Sequence, residues 1–230
     1  MIEGAALLAE AVAAGALVEA VFVGPGALPI DGGGAPVYEL APGVVERVAS
    51  TVSPQPVLAV VKRTDVSWKA VAPTNGFVVV AAGLADPGNV GTILRSAEAA
   101  GAAAVVVTEG SVDVFNSKVV RASAGALFHV PVVVDVPLAA LVELGVPLLG
   151  AVATGGVPYD LAPLERPCAV ILGSEAHGLP PGLAVDGLVS IPHAGRAESL
   201  NVAMAATVLC FEAARRRRSD RGRSAGSGTT

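Results

Sequence analysis

Three short clusters of polar residues and glycines each follow a run of apolar residues that is typical of a buried strand. The clusters occupy residues 86–95, 173–180 and 191–201. In α/β proteins, ligands bind in the loops that follow the carboxyl ends of the strands. Each cluster is therefore a candidate for binding or for chemistry, and each also has a purely structural explanation.

The first cluster, residues 86–95, has the pattern of a tight turn that opens a helix. Asn89 is predicted to cap this helix. Arg95 is predicted to share a helix face with Gly91, directed toward the carboxyl end of the preceding strand. An ordinary strand–turn–helix unit with a solvated arginine explains the same pattern. The spacing of Gly88 and Gly91 lacks the third glycine of the dinucleotide fingerprint.

The second cluster places Glu175 between Gly173 and Gly178. Two glycines around a carboxylate predict a tight loop that lets a flat ligand approach the backbone. Glu175 is expected to order the loop by accepting backbone hydrogen bonds. A plain polar turn is the alternative, and the neighbouring His177 is interpreted as a surface histidine.

The third cluster begins where a strand ends at Pro192 and continues through a glycine loop. Ser199 or Asn201 is predicted to cap the last helix, and a simple helix cap is the structural alternative. The sequence has no zinc-type spacing of histidines or cysteines, no P-loop and no nucleophile elbow. A metal site is therefore not expected.

Composition limits both the core and the partners. Hydrophobic residues make up 53% of the 230 residues and aromatic residues only 3%, which predicts a core of small aliphatic side chains. Residues 211–230 carry +4 of a total formal charge of −5, so the remaining 210 residues carry −9. An acidic body cannot hold RNA on a broad basic face, and binding would need a few well-placed arginines together with the basic tail.

Cys168 and Cys210 are interpreted as small core residues of a soluble protein in a reducing cytoplasm. No signal peptide or membrane span is predicted. From Phe77 onward, apolar runs alternate with helical patterns, which predicts a largely parallel sheet covered by helices. The predicted strands are residues 77–81, 104–108, 130–134, 148–152, 169–172 and 188–191.

A last helix is predicted over residues 199–218. It is apolar nearly all round as far as Phe211, which favours burial in a subunit interface. The predicted organisation is a small domain at residues 1–62, a linker at 63–76, a larger domain at 77–218 and a disordered basic tail at 219–230.

Taken together, the three clusters resemble the three motifs of the SpoU (TrmH) branch of the SPOUT methyltransferases. The matching residues are Asp86-Pro87-x-Asn89-x-Gly91 with Arg95, Gly173-x-Glu175-x-x-Gly178-Leu179, and Ile191-Pro192 … Gly195 … Ser199-Leu200-Asn201-Val202. A connecting stretch, residues 118–126, also looks like the family's segment between the first two motifs. The resemblance covers residues 77–218.

This resemblance implies an α/β fold with a mostly parallel sheet and a C-terminal trefoil knot, preceded by a small RNA-binding domain that is expected to lack its first strand. It also implies a homodimer that transfers a methyl group from S-adenosyl-L-methionine to a ribose 2′-hydroxyl of RNA, ribosomal rather than transfer RNA. The residues expected to hold the cofactor are Gly173, Glu175, Gly178, Ile191 and Leu200. The residues expected to carry or shape the chemistry are Arg95, Asn89, Glu175, Ser199 and Asn201.

Three other functions remain open from the sequence. A transfer-RNA methyltransferase would carry the same motifs. A non-catalytic RNA-binding protein could keep the fold, although the intact motifs argue against it. A nucleotide-binding oxidoreductase would explain the strand–glycine–helix pattern, but the third glycine and the acidic ribose partner about 20 residues further on are missing.

Overall fold

The computed structural model describes residues 1–71, 73 and 76–226, with the side chains of the last helix described through Ser219. The first 61 residues form a small four-stranded sheet in the order β1-β4-β2-β3 with two helices. Strand β4 is antiparallel to β1 and β2, whereas β2 and β3 are parallel. The elements are β1 (Ile2–Glu3), α1 (Ala5–Ala13), β2 (Val18–Val23), β3 (Val37–Glu39), α2 (Val44–Val48) and β4 (Val57–Val61).

The remaining strands form a seven-stranded sheet in the order β7-β6-β5-β10-β8-β11-β9, and every pairing within it is parallel. The central strands β5, β6 and β10 are buried along their whole length, as expected for valine-rich strands covered on both faces. The strands are β5 (Phe77–Ala81), β6 (Ala104–Thr108), β7 (Val132–Val136), β8 (Leu148–Val152), β9 (Val157–Pro158), β10 (Cys168–Leu172) and β11 (Gly187–Ser190). The helices of this region are α3 (Pro87–Ala99), α4 (Ser117–Ser123) and α5 (Val202–Gly226). The predicted α/β architecture with a mostly parallel sheet is confirmed.

The strand order reverses between β5 and β10. Strands β6 and β7 extend the sheet on one side of β5, whereas β10, β8 and β11 extend it on the other. Loops diverge from the carboxyl ends of the strands at such a point and leave a crevice for a ligand. The first and second sequence clusters follow β5 and β10, so they meet at this crevice.

Helix α3 begins at a different cap from the one predicted. Asp86 is the N-cap, and its side chain accepts a hydrogen bond from the backbone N–H of Asn89 at 2.8 Å. Pro87 occupies the first helical position, where its missing N–H costs no hydrogen bond. The prediction that Asn89 caps the helix is therefore wrong, and its side-chain amide is left to act elsewhere.

Several element boundaries differ from the sequence prediction. Strand β7 begins at Val132 rather than Val130, because Val130 still donates its N–H to Ala126 in the preceding 3-10 turn. Helix α5 begins at Val202 and continues to Gly226, since nothing in its Arg- and Ser-rich sequence stops a helix that is already formed. The helix thus extends into the predicted disordered tail, of which residues 227–230 lie outside the described part. In the small domain, the two-residue β1 pairs with β4.

The linker predicted at residues 63–76 packs against the large domain where it is described; residues 72, 74 and 75 lie outside the described part. Val66 donates its N–H to the carbonyl of Val132, beside edge strand β7. The indole N–H of Trp68 donates to Glu143 at 3.1 Å.

Both cysteines are buried, as predicted. Burial raises the pKa of the Cys168 thiol to about 11 and that of the Cys210 thiol to about 12, because the thiolate loses its hydration inside an apolar core. Within the described residues, no helix is both long enough and apolar enough to cross a membrane.

Candidate active site

A cavity of about 580 Å³ opens at the carboxyl ends of β8, β10 and β11, beside the start of α5. This volume lies in the range of small-molecule and cofactor sites, about 300–1,000 Å³. Apolar side chains from the three strands and from α5 form its floor. The predicted residues that line it are Gly173, Glu175, Gly178, Ile191, Ser199, Leu200 and Asn201.

The loop after β10 folds back on itself, and this explains its two glycines. Ser174 and Gly178 form an isolated antiparallel bridge, and Gly178 has a φ of +69°, which favours glycine. A Cβ on Gly173 would overlap the carbonyl group of Gly178 and the backbone nitrogen of Leu179. Gly173 is therefore required for closure of the loop itself, whereas the sequence had suggested that it leaves room for a ligand.

Three polar side chains join the clusters through hydrogen bonds. Asn89 donates from Nδ2 to Glu175 Oε1 at 2.7 Å, and Asn201 donates from Nδ2 to Asn89 Oδ1 at 3.0 Å. The start of α3, the loop after β10 and the start of α5 are thereby connected. Glu175 was expected to accept backbone hydrogen bonds, but the hydrogen bond that it accepts comes from a side chain of another cluster.

Helix α5 starts at the edge of the cavity and is capped by Asn201. Its Oδ1 accepts hydrogen bonds from the backbone N–H groups of Ala203 at 2.9 Å and Met204 at 3.2 Å. Of the two caps predicted for this helix, Asn201 is the one observed. Ser199 and Leu200 precede it and line the cavity.

Arg95 lies two turns along α3 from the hydrogen-bonded group and is not among the residues that line the cavity. It is exposed, whereas Gly91, one turn earlier, is buried against α4. The two residues lie one turn apart on the same side of α3, as predicted, but only Arg95 is exposed. No hydrogen bond or ion pair with another described residue holds the Arg95 guanidinium, so it is available to a ligand that binds outside the cavity.

The charge of the cavity limits the ligands that fit it. Glu175 is its one carboxylate, His177 and His193 are its only basic groups, and neither lysine nor arginine is among its described lining residues. A dinucleotide is usually bound through its phosphates at a helix N-terminus or by cationic side chains. The lining favours instead a largely apolar ligand that carries hydrogen-bonding groups and no phosphate. The described residues contain no cluster of His, Cys, Asp and Glu suited to a metal.

Several lining residues were missed in the sequence. Residues 151–153 at the end of β8 form one wall, but an Ala-Val-Ala run at the end of a strand carries no sequence signal for a site. The position of β8 between β10 and β11 was the missing information. His177 and His193 also line the cavity. The Nδ1 atom of His193 lies 3.1 Å from the carbonyl oxygen of Ala197, a contact within the loop of the third cluster.

Arginine side chains form ion pairs and hydrogen bonds around the middle of α5. Glu212 is 8% exposed and accepts hydrogen bonds from Arg215 and Arg216, each at 2.7 Å at its closest. Arg216 also reaches Glu165 at 3.3 Å, and Arg217 donates to the backbone carbonyl of Glu165 at 3.4 Å. Hydrogen bonds from Arg215 outweigh burial and, with Arg216, hold the pKa of Glu212 down at about 2. Three of the arginines in residues 211–230 are therefore engaged within the protein.

Comparison with known proteins agrees with this geometry. The profile of the SpoU rRNA Methylase family matches residues 76–211. The chain is 34% identical over 218 residues to the 23S rRNA (guanosine(2553)-2′-O)-methyltransferase RlmP of Bacillus subtilis, and the match covers 92% of this chain and 86% of that protein.

Solved structures give the same result. The SpoU methyltransferase AviRb from Streptomyces viridochromogenes, in complex with the cofactor AdoMet, superimposes with a TM-score of 0.85 at 27% identity, over 95% of this chain and 90% of that one. An AdoMet-bound rRNA methyltransferase from Sinorhizobium meliloti superimposes with a TM-score of 0.82 at 28% identity, over 93% of this chain and 85% of that one. Both matches extend over the small domain as well as the large one.

Proposed function

Because this chain belongs to the SpoU rRNA methylase family, we propose that it transfers a methyl group from S-adenosyl-L-methionine to a ribose 2′-hydroxyl of ribosomal RNA. The relatives named for a defined product are mainly 23S rRNA 2′-O-methyltransferases, which favours ribosomal over transfer RNA. The observation that carries the proposal is the hydrogen-bonded group Asn89–Glu175–Asn201, which joins all three motifs beside one cavity.

The cavity residues fit the cofactor. Apolar walls from Leu172, Val189, Ile191 and Leu209 suit an adenine ring, and the absence of lysine and arginine from the described lining suits a ligand without phosphate. Gly173, Gly178 and Leu200 would hold the adenosine through the loops that carry them, and Glu175 supplies the negative charge that a cationic ligand favours. Two structural relatives contain AdoMet. The cofactor supplies an electrophilic methyl group on a sulfonium.

Arg95 is the residue that we assign to the acceptor ribose. A guanidinium stays protonated in proteins, so a role as a literal base is excluded. It can donate hydrogen bonds to the 2′-oxygen or to an adjacent phosphate and so favour the ionised hydroxyl. Its exposed position outside the cavity supports this role, because a large RNA can reach an exposed side chain. Asn89, Glu175, Ser199 and Asn201 position the loops around the reacting groups.

The distribution of charge shapes the proposed RNA contact. Arg215 and Arg216 pair with Glu212 and Glu165, and Arg217 donates to two backbone carbonyls. The contribution of residues 211–230 to RNA binding therefore falls mainly to Arg218, Arg221 and Arg223. The acidic body leaves RNA binding to a few cationic contacts. Each phosphate that these contacts neutralise adds to the salt dependence of binding. Methylation of ribosomal RNA also implies a cytoplasmic location for this protein.

We also propose a homodimer in which α5 lies at the interface. One face of this helix packs on α3, where Ser96 Oγ and Thr207 Oγ1 are 2.7 Å apart. Beside this contact Met204 and Phe211 are 62% and 47% exposed in the single chain. Large exposed apolar side chains seven residues apart on one helix are typical of a contact surface. Light scattering that shows a stable monomer at micromolar concentration would contradict the proposed homodimer.

A trefoil knot near the C-terminus is also proposed, from the family resemblance. The strand order supports it, because β10 follows β8 in the chain yet lies between β5 and β8, and α5 then returns to pack on α3. Threaded chains are rare exceptions to the rule that connections do not pass through loops. Pulling the two termini apart with optical tweezers should give an unfolded length shorter than that of the open chain.

The activity is tested by incubating the protein with S-adenosylmethionine and unmodified 23S ribosomal RNA, followed by nucleoside mass spectrometry. The expected product is a 2′-O-methylated nucleoside whose 3′ phosphodiester resists alkali, because alkaline cleavage needs the free hydroxyl. Methylation of transfer RNA alone would indicate the alternative substrate. Cofactor binding without any methyl transfer would indicate a non-catalytic RNA-binding protein.

A further inference from the structure

The connecting stretch at residues 118–126 has no place in the proposed site, since none of its residues lines the cavity. In the structure it belongs to a longer segment, residues 117–129, which contains α4 and the turn after it. We call residues 117–129 the bridge segment, because it contacts the small domain on one side and the helix that carries Arg95 on the other.

The first contact of the bridge segment with the small domain centres on Arg121. Its Nη1 donates to Ser50 Oγ at 2.6 Å and lies 3.7 Å from Glu3 Oε1. The Glu3 side chain is only 6% exposed. It also accepts hydrogen bonds from the backbone N–H of Ser50 at 2.8 Å and from Thr51 Oγ1 at 3.0 Å. A nearly buried carboxylate is thus neutralised from the other domain.

These contacts keep Glu3 ionised. Burial alone would raise the pKa of Glu3, but the hydrogen bonds from Ser50 and Thr51, together with the charge of Arg121, lower it below its ordinary value. Removing Arg121 would leave this carboxylate with two hydroxyl groups and one backbone N–H and no cation. An unpaired buried charge is costly, so the contact is specific to an arginine or lysine at this position.

A second contact with the small domain lies further along the bridge segment, at residues 124–129. Ala124 and Gly125 both have positive φ, of 48° and 95°, and they end α4 and turn the chain toward α1. Gly125 lies directly against the side chain of Glu10, and the His129 ring lies 2.8 Å through Nε2 from Glu10 Oε2. The small domain is therefore held at two points, one on β1 and one on α1.

On its other side the bridge segment packs backbone to backbone against α3. A Cβ on Gly91 would overlap that of Ala122 and would lie 2.8 Å from the Ala122 carbonyl carbon and 2.9 Å from the nitrogen of Ser123. Close packing of this kind leaves no side chains to absorb a displacement. A movement of α4 must therefore move α3, which carries Asn89 and Arg95.

We propose that the bridge segment couples the small domain to α3, and that Arg121 and Glu3 are positioning residues which set the placement of Arg95 through it. An RNA that engages the small domain would then meet an Arg95 already aligned for the ribose. The kinetic consequence rests on the proposed methyltransferase function, whereas the structural coupling does not. Cofactor binding should change much less than turnover, because the residues that line the cavity lie on β8, β10, β11 and α5 and their hydrogen-bonded link to α3 is the side chain of Asn89.

Hydrogen–deuterium exchange of the full chain without RNA tests the coupling directly. Arg121→Met removes the charge and keeps a chain of similar length, Arg121→Lys restores a cation, and Arg47→Met removes an exposed arginine of α2 as a matched control. In Arg121→Met we expect the amides of residues 90–95 to exchange about tenfold faster, as local opening becomes easier. The amides of 148–152 in β8, on the far side of β10, should exchange as in the parent, and Arg121→Lys should fall between the two.

Single-turnover methylation of unmodified 23S ribosomal RNA then tests the consequence. Arg121→Met should lower the rate at saturating RNA about tenfold while the dissociation constant for S-adenosylmethionine changes much less, and Arg121→Lys should recover most of the rate. If exchange rises only in β1 and α1 while α3 stays protected, the bridge segment holds the small domain and nothing more, and the proposal is wrong. Exchange is measured without RNA, so this test of the coupling does not depend on whether the parent protein methylates RNA.

Discussion

The cofactor cavity and the face of α3 that carries Arg95 are built in opposite ways. Around the cavity, polar side chains bond to one another, and the loop after β10 is closed by its own backbone. Arg95 is exposed and held by no described side chain. The difference indicates that the cofactor side is pre-formed, whereas the acceptor side is completed by the RNA. Changes to the first should impair binding, and changes to the second should impair turnover.

The largest effect is expected at Gly173. Even Gly173→Ala places a methyl group into the backbone of Gly178, so the loop cannot close, and Gly173→Val adds two further carbons. We expect S-adenosylmethionine affinity, measured by calorimetry, to fall by at least about 10²-fold in the valine variant, since the backbone must shift to relieve the overlap. Thermal melting should show that the domain still folds. A valine variant that binds the cofactor normally would show that the loop is not part of its site.

Arg95→Ala should show the opposite pattern. Turnover is expected to fall by at least about 10²-fold, the lower end for a group that assists proton transfer. Cofactor affinity and the melting temperature should stay as in the parent, because Arg95 touches neither the cavity nor the core. Arg166→Ala, which removes an arginine of the large domain whose side chain is 80% exposed, is the control and should keep its turnover. Near-normal turnover of Arg95→Ala would rule out the assigned role.

Asn201 has two functions that a pair of variants can separate. Asn201→Ala removes both the cap of α5 and the bond to Asn89, and should cost about 0.5–2 kcal/mol of stability. Asn201→Asp keeps the oxygen that caps Ala203 and Met204 but loses the donor to Asn89. We expect urea denaturation to separate the two variants while their turnover falls equally. If Asn201→Asp turns over like the parent, the bond to Asn89 has no role in positioning.

Acid should loosen the middle of α5, the helix that forms one wall of the cavity. The pKa of Glu212 is about 2 in the folded chain, against an ordinary value of 4.5. Its stabilising contribution is therefore complete above about pH 4.5 and is lost as the pH falls toward 2. Glu212→Gln should lower the free energy of unfolding by about 1.5–3 kcal/mol at pH 7, the range for hydrogen bonds to a charged group.

The check is urea denaturation of parent and Glu212→Gln between pH 7 and pH 2.5. The difference between them should shrink below pH 4.5, and a difference that stays constant would contradict the assigned pKa. Glu98→Gln, which removes an exposed carboxylate of α3, is the control and should differ little from the parent at any pH.

The smallest effect is expected from removal of residues 219–230. This deletion takes away Arg221 and Arg223 but leaves the arginines that are paired with Glu212 and Glu165. RNA affinity should weaken slightly, and the slope of log affinity against log salt should fall by at most about two units. Filter binding at several salt concentrations measures it. An unchanged slope would mean that the tail does not contact the RNA.

The sequence predicted six of the seven strands of the large sheet because they are apolar and unbroken, and it missed the two-residue β9. The second and third motifs supplied most of the residues that line the cavity. What it missed depends on tertiary neighbours. The bond between Asn89 and Glu175 spans 86 residues, so no local pattern could give it, and Asp86 took the cap that Asn89 was expected to fill. Residues 151–153 became a wall only through the strand order. The net charge of residues 211–230 did not show that Glu212 pairs with Arg215 and Arg216.

The burial of Cys168 and Cys210 has a practical consequence. Since their pKa values are about 11 and 12, roughly one in ten thousand or fewer of these thiols is a thiolate at neutral pH, and the thiolate is the reactive form. Maleimide dyes should therefore leave the native chain unlabelled. A cysteine introduced on the exposed surface of the small domain and another on α3 would carry a fluorescent pair without prior removal of the natural thiols. The separation of the two domains could then be followed in solution as RNA binds.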